Sequence, residues 1–103
     1  MIYELRTYVC LPRKIAAVTE TMGKLMPVFK KNEIKVIGMW TTLIGRAEEF
    51  VYLLEFESLA DREKKWARYM NDPDLAKAFQ EYPPGVQFHD SVILQPTIYS
   101  PMR

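Results

Sequence analysis

Residues Lys35–Trp66 read KVIGMWTTLIGRAEEFVYLLEFESLADREKKW, and this stretch decides the fold. Residues 34–43 and 49–57 are rich in β-branched and aromatic side chains, as strands are. Gly45-Arg46-Ala47-Glu48 between them reads as a hairpin connection. Ser58 then stands where a helix N-cap belongs, and Asp61 three residues on completes a capping box with Asp in the usual Glu position. Arg62, Trp66, Tyr69 and Met70 continue one face of that helix.

Upstream, residues 2–9 form another strand pattern, stopped at Leu11-Pro12. Pro12 suits the first turn of a helix. Ile15, Val18, Met22, Leu25, Met26 and Phe29 follow at three-and-four spacing, the signature of one apolar helical face. Pro27 interrupts that face and is expected to kink or shorten its last turn. Lys30-Lys31-Asn32 ends it. Downstream, Asp72 and Pro73 restart a short helical segment with Leu75, Ala78, Phe79 and Tyr82. Pro83-Pro84-Gly85 breaks it, residues 86–95 make a last strand, and Pro96–Arg103 is a tail.

The order β-α-β-β-α-β predicts an α+β, ferredoxin-like domain spanning residues 1–103. Its four-stranded antiparallel sheet has strands one and three in the centre and two helices on one face. A chain of 103 residues supports a single core. The 14 basic and 13 acidic residues are mixed along it, so no basic stripe points to nucleic acid or to an anionic membrane. No apolar run is long enough to span a bilayer. One cysteine, Cys10, excludes an internal disulfide. The opening residues enter a strand pattern without a leader, so a cytoplasmic location is expected.

Strand alternation assigns faces. The apolar sets, Tyr3, Leu5, Thr7 and Val9 with Phe50, Tyr52, Leu54 and Phe56, are expected under the helices. The mixed sets, Ile2, Glu4, Arg6 and Tyr8 with Val51, Leu53 and Glu55, are then left on the other face. In strand two, Val36, Trp40 and Ile44 share one face and Ile37, Met39 and Leu43 the other. In strand four, Asp90 is expected toward the helices. A face carrying this much apolar surface should not stay in water, which predicts a homodimer in which two sheets meet.

Tyr3-Glu4-Leu5-Arg6-Thr7-Tyr8, Val36-Ile37-Gly38, Trp40-Thr41-Thr42, Gly45, Val51-Tyr52, and Glu57-Ser58-Leu59-Ala60-Asp61-Arg62 leading to Trp66 together resemble the NIPSNAP family over nearly the whole chain. The resemblance implies a dimeric α/β-barrel, two ferredoxin-like sheets stacked face to face. The wider superfamily includes cofactor-free monooxygenases, muconolactone isomerase-like enzymes and haem-binding members, with a pocket between helices and sheet.

Two groups of residues are candidates for function. Tyr3, Thr7, Tyr52, Trp66, His89 and Asp90 would line a helix–sheet pocket for a small apolar or aromatic acid. Glu4, Arg6 and Glu55 would form a polar network on the dimer face; alternatively, Arg6 would clamp a substrate carboxylate and a desolvated Glu accept a proton. His89 has no companions at metal-ligand spacing and no nucleophile motif around it. No phosphate loop occurs, so neither metal nor cofactor is expected. Cys10 reads as a small hydrophobe. Two functions fit: a small-molecule protein, including a cofactor-free oxygenase or isomerase, and a non-enzymatic dimeric interaction module.

Overall fold

The computed structural model describes residues 1–78 and 84–103. Strands β1 (Ile2–Cys10), β2 (Lys35–Thr41), β3 (Glu49–Phe56) and β4 (Val86–Leu94) alternate with helices α1 (Ile15–Lys31), α2 (Leu59–Met70) and α3 (Pro73–Ala78). The sheet runs β2-β3-β1-β4 with every neighbouring pair antiparallel, as the ferredoxin-like order requires. Phe79, Tyr82 and Pro83 lie outside the described residues.

Helix α1 buries Val18, Met22, Leu25, Val28 and Phe29 against Phe50, Tyr52, Leu54 and Phe56 of β3. Met26, expected on that face, is exposed, and Val28 takes its place. The helix runs through Pro27 to Lys31. Pro12 lies before the helix, in a turn closed by Lys14 N–H donating to Leu11 C=O at 3.1 Å, with φ of 66° at Arg13. That is a type II turn with Pro at its second position.

Helix α2 starts as its sequence predicts. Ser58 Oγ accepts from Asp61 N–H at 3.0 Å. The Asp61 carboxylate accepts from Glu57 N–H at 2.9 Å, one residue ahead of the usual box partner. Asp72 caps α3 by accepting from Asp74 N–H at 2.8 Å.

At the end of α1, Ile34 N–H donates to Phe29 C=O at 2.9 Å and Glu33 N–H to Lys30 C=O at 3.0 Å. This is a Schellman motif, sealed by burial of Ile34 and Phe29. Its left-handed position, φ 61°, is filled by Glu33 rather than glycine. Glu33→Gly is therefore expected to raise stability by about 1 kcal/mol, the cost of the left-handed conformation for a residue with a Cβ. A urea midpoint that stays put or falls would contradict it.

The face assignments of β1, β2 and β4 are corrected. Glu4 pairs with Leu54 and Arg6 with Tyr52 across the β1–β3 ladder, and residues directly opposite point the same way. The helix side of β1 is thus Ile2, Glu4, Arg6 and Tyr8, while Tyr3, Leu5, Thr7 and Val9 face away from the helices. Alternation groups residues into faces without saying which face the helices cover. Here the charged set is inside because it satisfies itself there.

In β2 the register slips between Val36 and Gly38, and this bulge reverses the alternation. Val36 opposes Leu54 on the helix side, whereas Trp40 opposes Val51 on the open side. The indole lies across Gly38, where a Cβ would come within 2.5 Å of it. Leu43 and Ile44 belong to the hairpin loop, not to a strand, and are almost fully exposed.

The open face consequently carries Leu5, Thr7, Val9, Val51, Leu53, Trp40, Phe88, Val92 and Leu94, with Glu49, Glu55 and Asp90 among them. Phe88, Val92 and Leu94 are exposed, and Trp40 is 52% exposed.

Candidate functional site

The helix side of the sheet has a polar centre inside the apolar core. Glu4 is 0% exposed and Arg6 8%. The Glu4 carboxylate accepts from Arg6 Nη1 at 3.0 Å, from Arg62 Nε at 2.8 Å and Nη2 at 3.1 Å, and from Ser91 Oγ. One carboxylate thereby joins β1, α2 and β4. Burial alone would push its pKa up. The hydrogen bonds from Arg62 and Ser91 and the charge and hydrogen bond of Arg6 outweigh that, holding Glu4 below its ordinary value. Glu4 is therefore held in its ionised form by its partners, and its lowered pKa makes it a weak base.

Arg6 turns its other side to aromatic rings. Its Nε donates to the Tyr52 hydroxyl at 2.7 Å, and Tyr52 and Tyr8 share a hydrogen bond of 2.7 Å. The guanidinium lies 4.7 Å from the Trp66 ring centroid and 5.8 Å from those of Tyr8 and Tyr52, a cation–π arrangement. Burial opposes its charge, but Tyr52, Tyr8 and Glu4 more than compensate and raise its pKa. Burial, reinforced by Tyr8, pushes the Tyr52 phenol up as well, against the lowering influence of Arg6.

Helix α1 packs on β2 and β3, and α2 on β3. On the helix side of β4, Ser91 and Ile93 are exposed and His89 and Val86 are half-buried; the register shift at Val9/Cys10 leaves Gln87 as the extra residue. The polar centre therefore borders an exposed stretch of the sheet at Ser91 and Ile93, beside the partly exposed Arg62 and Trp66 of α2. His89 faces Tyr8 across the ladder, their rings edge-on at 6.0 Å.

The six expected pocket residues divide between the two faces. Tyr52, Trp66 and His89 gather on the helix side. Tyr3, Thr7 and Asp90 lie on the open side, so Asp90 points away from the helices. The expected network of Glu4, Arg6 and Glu55 divides in the same way. Glu4 and Arg6 meet, but Glu55 accepts from the Tyr3 hydroxyl at 3.1 Å on the opposite face and pairs with Lys35 at 3.3 Å. Ser91 and Arg62 were missed as partners of Glu4. Arg62 had the only visible signal, a cation on the same helical face as Trp66.

A groove of about 350 Å³ lies between the end of α1 and β2, lined by Met26, Phe29, Ile34 and Val36 with Lys30 and Lys35. Another, about 190 Å³, lies beneath the C-terminal tail on the open side and includes Tyr3, Leu53 and Leu94. Cys10 is buried, and that burial raises its thiol pKa, as suits an inert side chain. No helix among the described residues is long and apolar enough to cross a membrane.

A second polar cluster fastens the helices together. Asp72 accepts from Lys31 Nζ at 2.9 Å and Asn32 Nδ2 at 2.8 Å, as well as from Asp74 N–H. These bonds pull the Asp72 carboxyl down to about 2. Asp72 and Glu4 both have folded-state pKa values below their ordinary 3.8 and 4.5. Their stabilisation is fully present above those values and is lost as pH falls through the folded-state ones. The urea midpoint is expected to drop below about pH 4.5, and Asp72→Asn to flatten the drop toward about pH 2. An unchanged acid profile in that variant would refute the assignment.

The four-stranded antiparallel sheet, its strand order and the helices on one face define a ferredoxin-like α+β domain. The NIPSNAP family model matches residues 3–101, and the chain belongs to that family. A NIPSNAP family protein of unknown function from Agrobacterium tumefaciens, Atu4242, superimposes with a TM-score of 0.91 at 27% identity, over 100% of this chain and 94% of its own. An uncharacterised NIPSNAP domain protein from Burkholderia xenovorans gives 0.88 at 20% identity, over 98% and 99% of the two chains. A putative antibiotic biosynthesis monooxygenase from Bordetella bronchiseptica gives 0.71 at 11% identity, over 94% and 97%, a likeness of fold. No curated protein sequence matches the chain significantly.

Proposed function

We propose that this NIPSNAP protein is a homodimer, paired through its open sheet face, that binds a small aromatic or apolar acid on the helix side of the sheet, beside β4. The observation carrying the ligand reading is the charge count of the polar centre. Two guanidinium groups meet one carboxylate, leaving an excess positive charge beside Trp66. A half-buried cation next to an indole suits an anion with an apolar or aromatic body. In enzymatic form, this reading is a cofactor-free oxygenase or isomerase-type activity; the monooxygenase likeness supports only the fold on which such chemistry occurs elsewhere.

A specific observation favours a second reading, a non-enzymatic binding or interaction module. Between α1, α2 and the sheet, Phe29, Tyr52, Tyr69 and Trp66 fill the interior with stacked and tilted ring contacts. A thermal-shift series of benzoate and its alkyl derivatives against the matching benzamides separates the two. The first reading expects the acids to raise Tm with concentration, the amides to leave it unchanged, and Trp66→Ala to abolish the shift. Acids that shift Tm no more than amides would leave the module reading in its place.

A further inference from the structure

The tail after β4 makes a turn that its residue types do not suit. Thr97 C=O accepts from Ser100 N–H at 3.1 Å, which makes Ile98 and Tyr99 the two central residues. Such positions favour Gly, Pro, Asn, Asp and Ser, yet each of these two large side chains is 83% exposed. The turn is also stiff. Ser100 Oγ donates to Met102 C=O at 2.7 Å, and Pro96 and Pro101 flank the turn with their fixed φ. Beside it lies the hollow of about 190 Å³ on the open side, floored by Tyr3, Leu53 and Leu94 and walled by Pro96, Ser100 and Met102. No charged side chain lines this hollow, so it suits an apolar group rather than a small ion.

The tail is poorly placed to fill its own hollow. Pro96 and Ser100 line it from either side of the turn, so the closed turn carries Ile98 and Tyr99 out beyond the rim. One segment thus presents a knob and, next to it, a socket. A two-fold interface requires that pairing, because a single patch must complement itself.

We infer that the tail is a reciprocal clasp: Ile98 and Tyr99 of each copy seat in the hollow of the other, against Tyr3, Leu53 and Leu94. This rests on the open-face homodimer proposed above and names where the two copies grip. The socket floor is continuous with that face, since Leu53 lies opposite Leu5, and Leu94 opposite Tyr3. A two-fold axis near this end of the sheet sets each knob over the other copy's socket. The Tyr99 ring supplies apolar area, and the Gln95 amide in the socket wall offers its hydroxyl a polar partner. A turn already stiffened by two prolines loses little freedom on docking.

Two measurements test it. Isotope-filtered NOE spectroscopy on an equal mixture of labelled and unlabelled protein reads contacts between copies alone. The Tyr99 ring is expected to contact the methyl groups of Leu53 and Leu94 of the other copy. A dimer in which these contacts are absent, or arise only within one copy, overturns the clasp and leaves the open-face dimer standing. Wild-type protein that stays monomeric ends the homodimer reading and the clasp with it. The second measurement is sedimentation velocity on the double variant Ile98→Ser with Tyr99→Ser. Both side chains are exposed in the single chain, so its folding does not depend on them. The dimer Kd is expected to rise at least about ten-fold, as it does when buried interface anchors are lost. A Kd within about two-fold of wild type, the behaviour of a peripheral contact, overturns the clasp.

Discussion

Glu4→Ala is expected to cost about 3–5 kcal/mol, the range for removing one partner of a buried ion pair. The magnitude comes from what remains. Arg6 would stay enclosed by Trp66, Tyr8 and Tyr52 with its charge uncompensated, and Arg62 would lose both of its bonds to the carboxylate. A domain of this size has a total stability of about 5–15 kcal/mol, so the variant should be marginal at 37 °C. Guanidinium denaturation at neutral pH and fixed protein concentration measures it. The double replacement Glu4→Leu with Arg6→Met is expected to recover most of the loss, because apolar residues of similar volume often substitute for a buried pair without penalty. Lys24–Glu20 is a control: both side chains are largely exposed at 3.9 Å, and its removal should be barely measurable. A loss below about 1 kcal/mol for Glu4→Ala, as for an exposed pair, would mean that the carboxylate does not hold the centre together.

The second large effect is expected at Leu53. It lies on the open face of the central strand β3, opposite Leu5 of β1. If two copies meet there, Leu53→Lys brings two ammonium groups into the middle of a desolvated interface. Association should weaken by more than about a hundred-fold, a typical consequence of disrupting a central anchor. Leu59→Ser, exposed in the first turn of α2 on the helix side, should change it little. Sedimentation velocity over a concentration series reads both. Wild-type protein that sediments as a monomer at micromolar concentration would end the homodimer proposal, as would a crystal dimer burying less than about 1,000 Å² at this face.

Local chemistry made much of the fold legible. Ser58 and Asp61 marked the start of α2, Asp72 and Pro73 that of α3, and the spacing from Val18 to Phe29 marked α1. The sides of the sheet were less legible, for a definite physical reason. Glu4 and Arg6 look like surface or interface residues until Arg62, 58 positions away, neutralises the carboxylate. A contact between a strand and a distant helix leaves no periodic trace in the chain. The same gap split the candidate pocket: Tyr52, Trp66 and His89 were grouped with Tyr3, Thr7 and Asp90, which β1 and β4 present on the far side. Arg6 was read either as part of a polar network or as an anion clamp, and its bonds to Glu4 and to the Tyr52 hydroxyl depend on side-chain geometry that residue types alone do not carry.

The extra residue in β2 bears on how relatives at 20–27% identity should be compared. An alignment that absorbs it as a gap in the wrong place exchanges inside for outside from Gly38 to Thr41. The indole of Trp40 would then be matched with buried residues of other members. For an ancestral lineage, gaining or losing that single codon would redraw the exposed side of this strand more thoroughly than several point substitutions. Length differences in β2 are therefore the first place to look for divergence in what these proteins present to their surroundings.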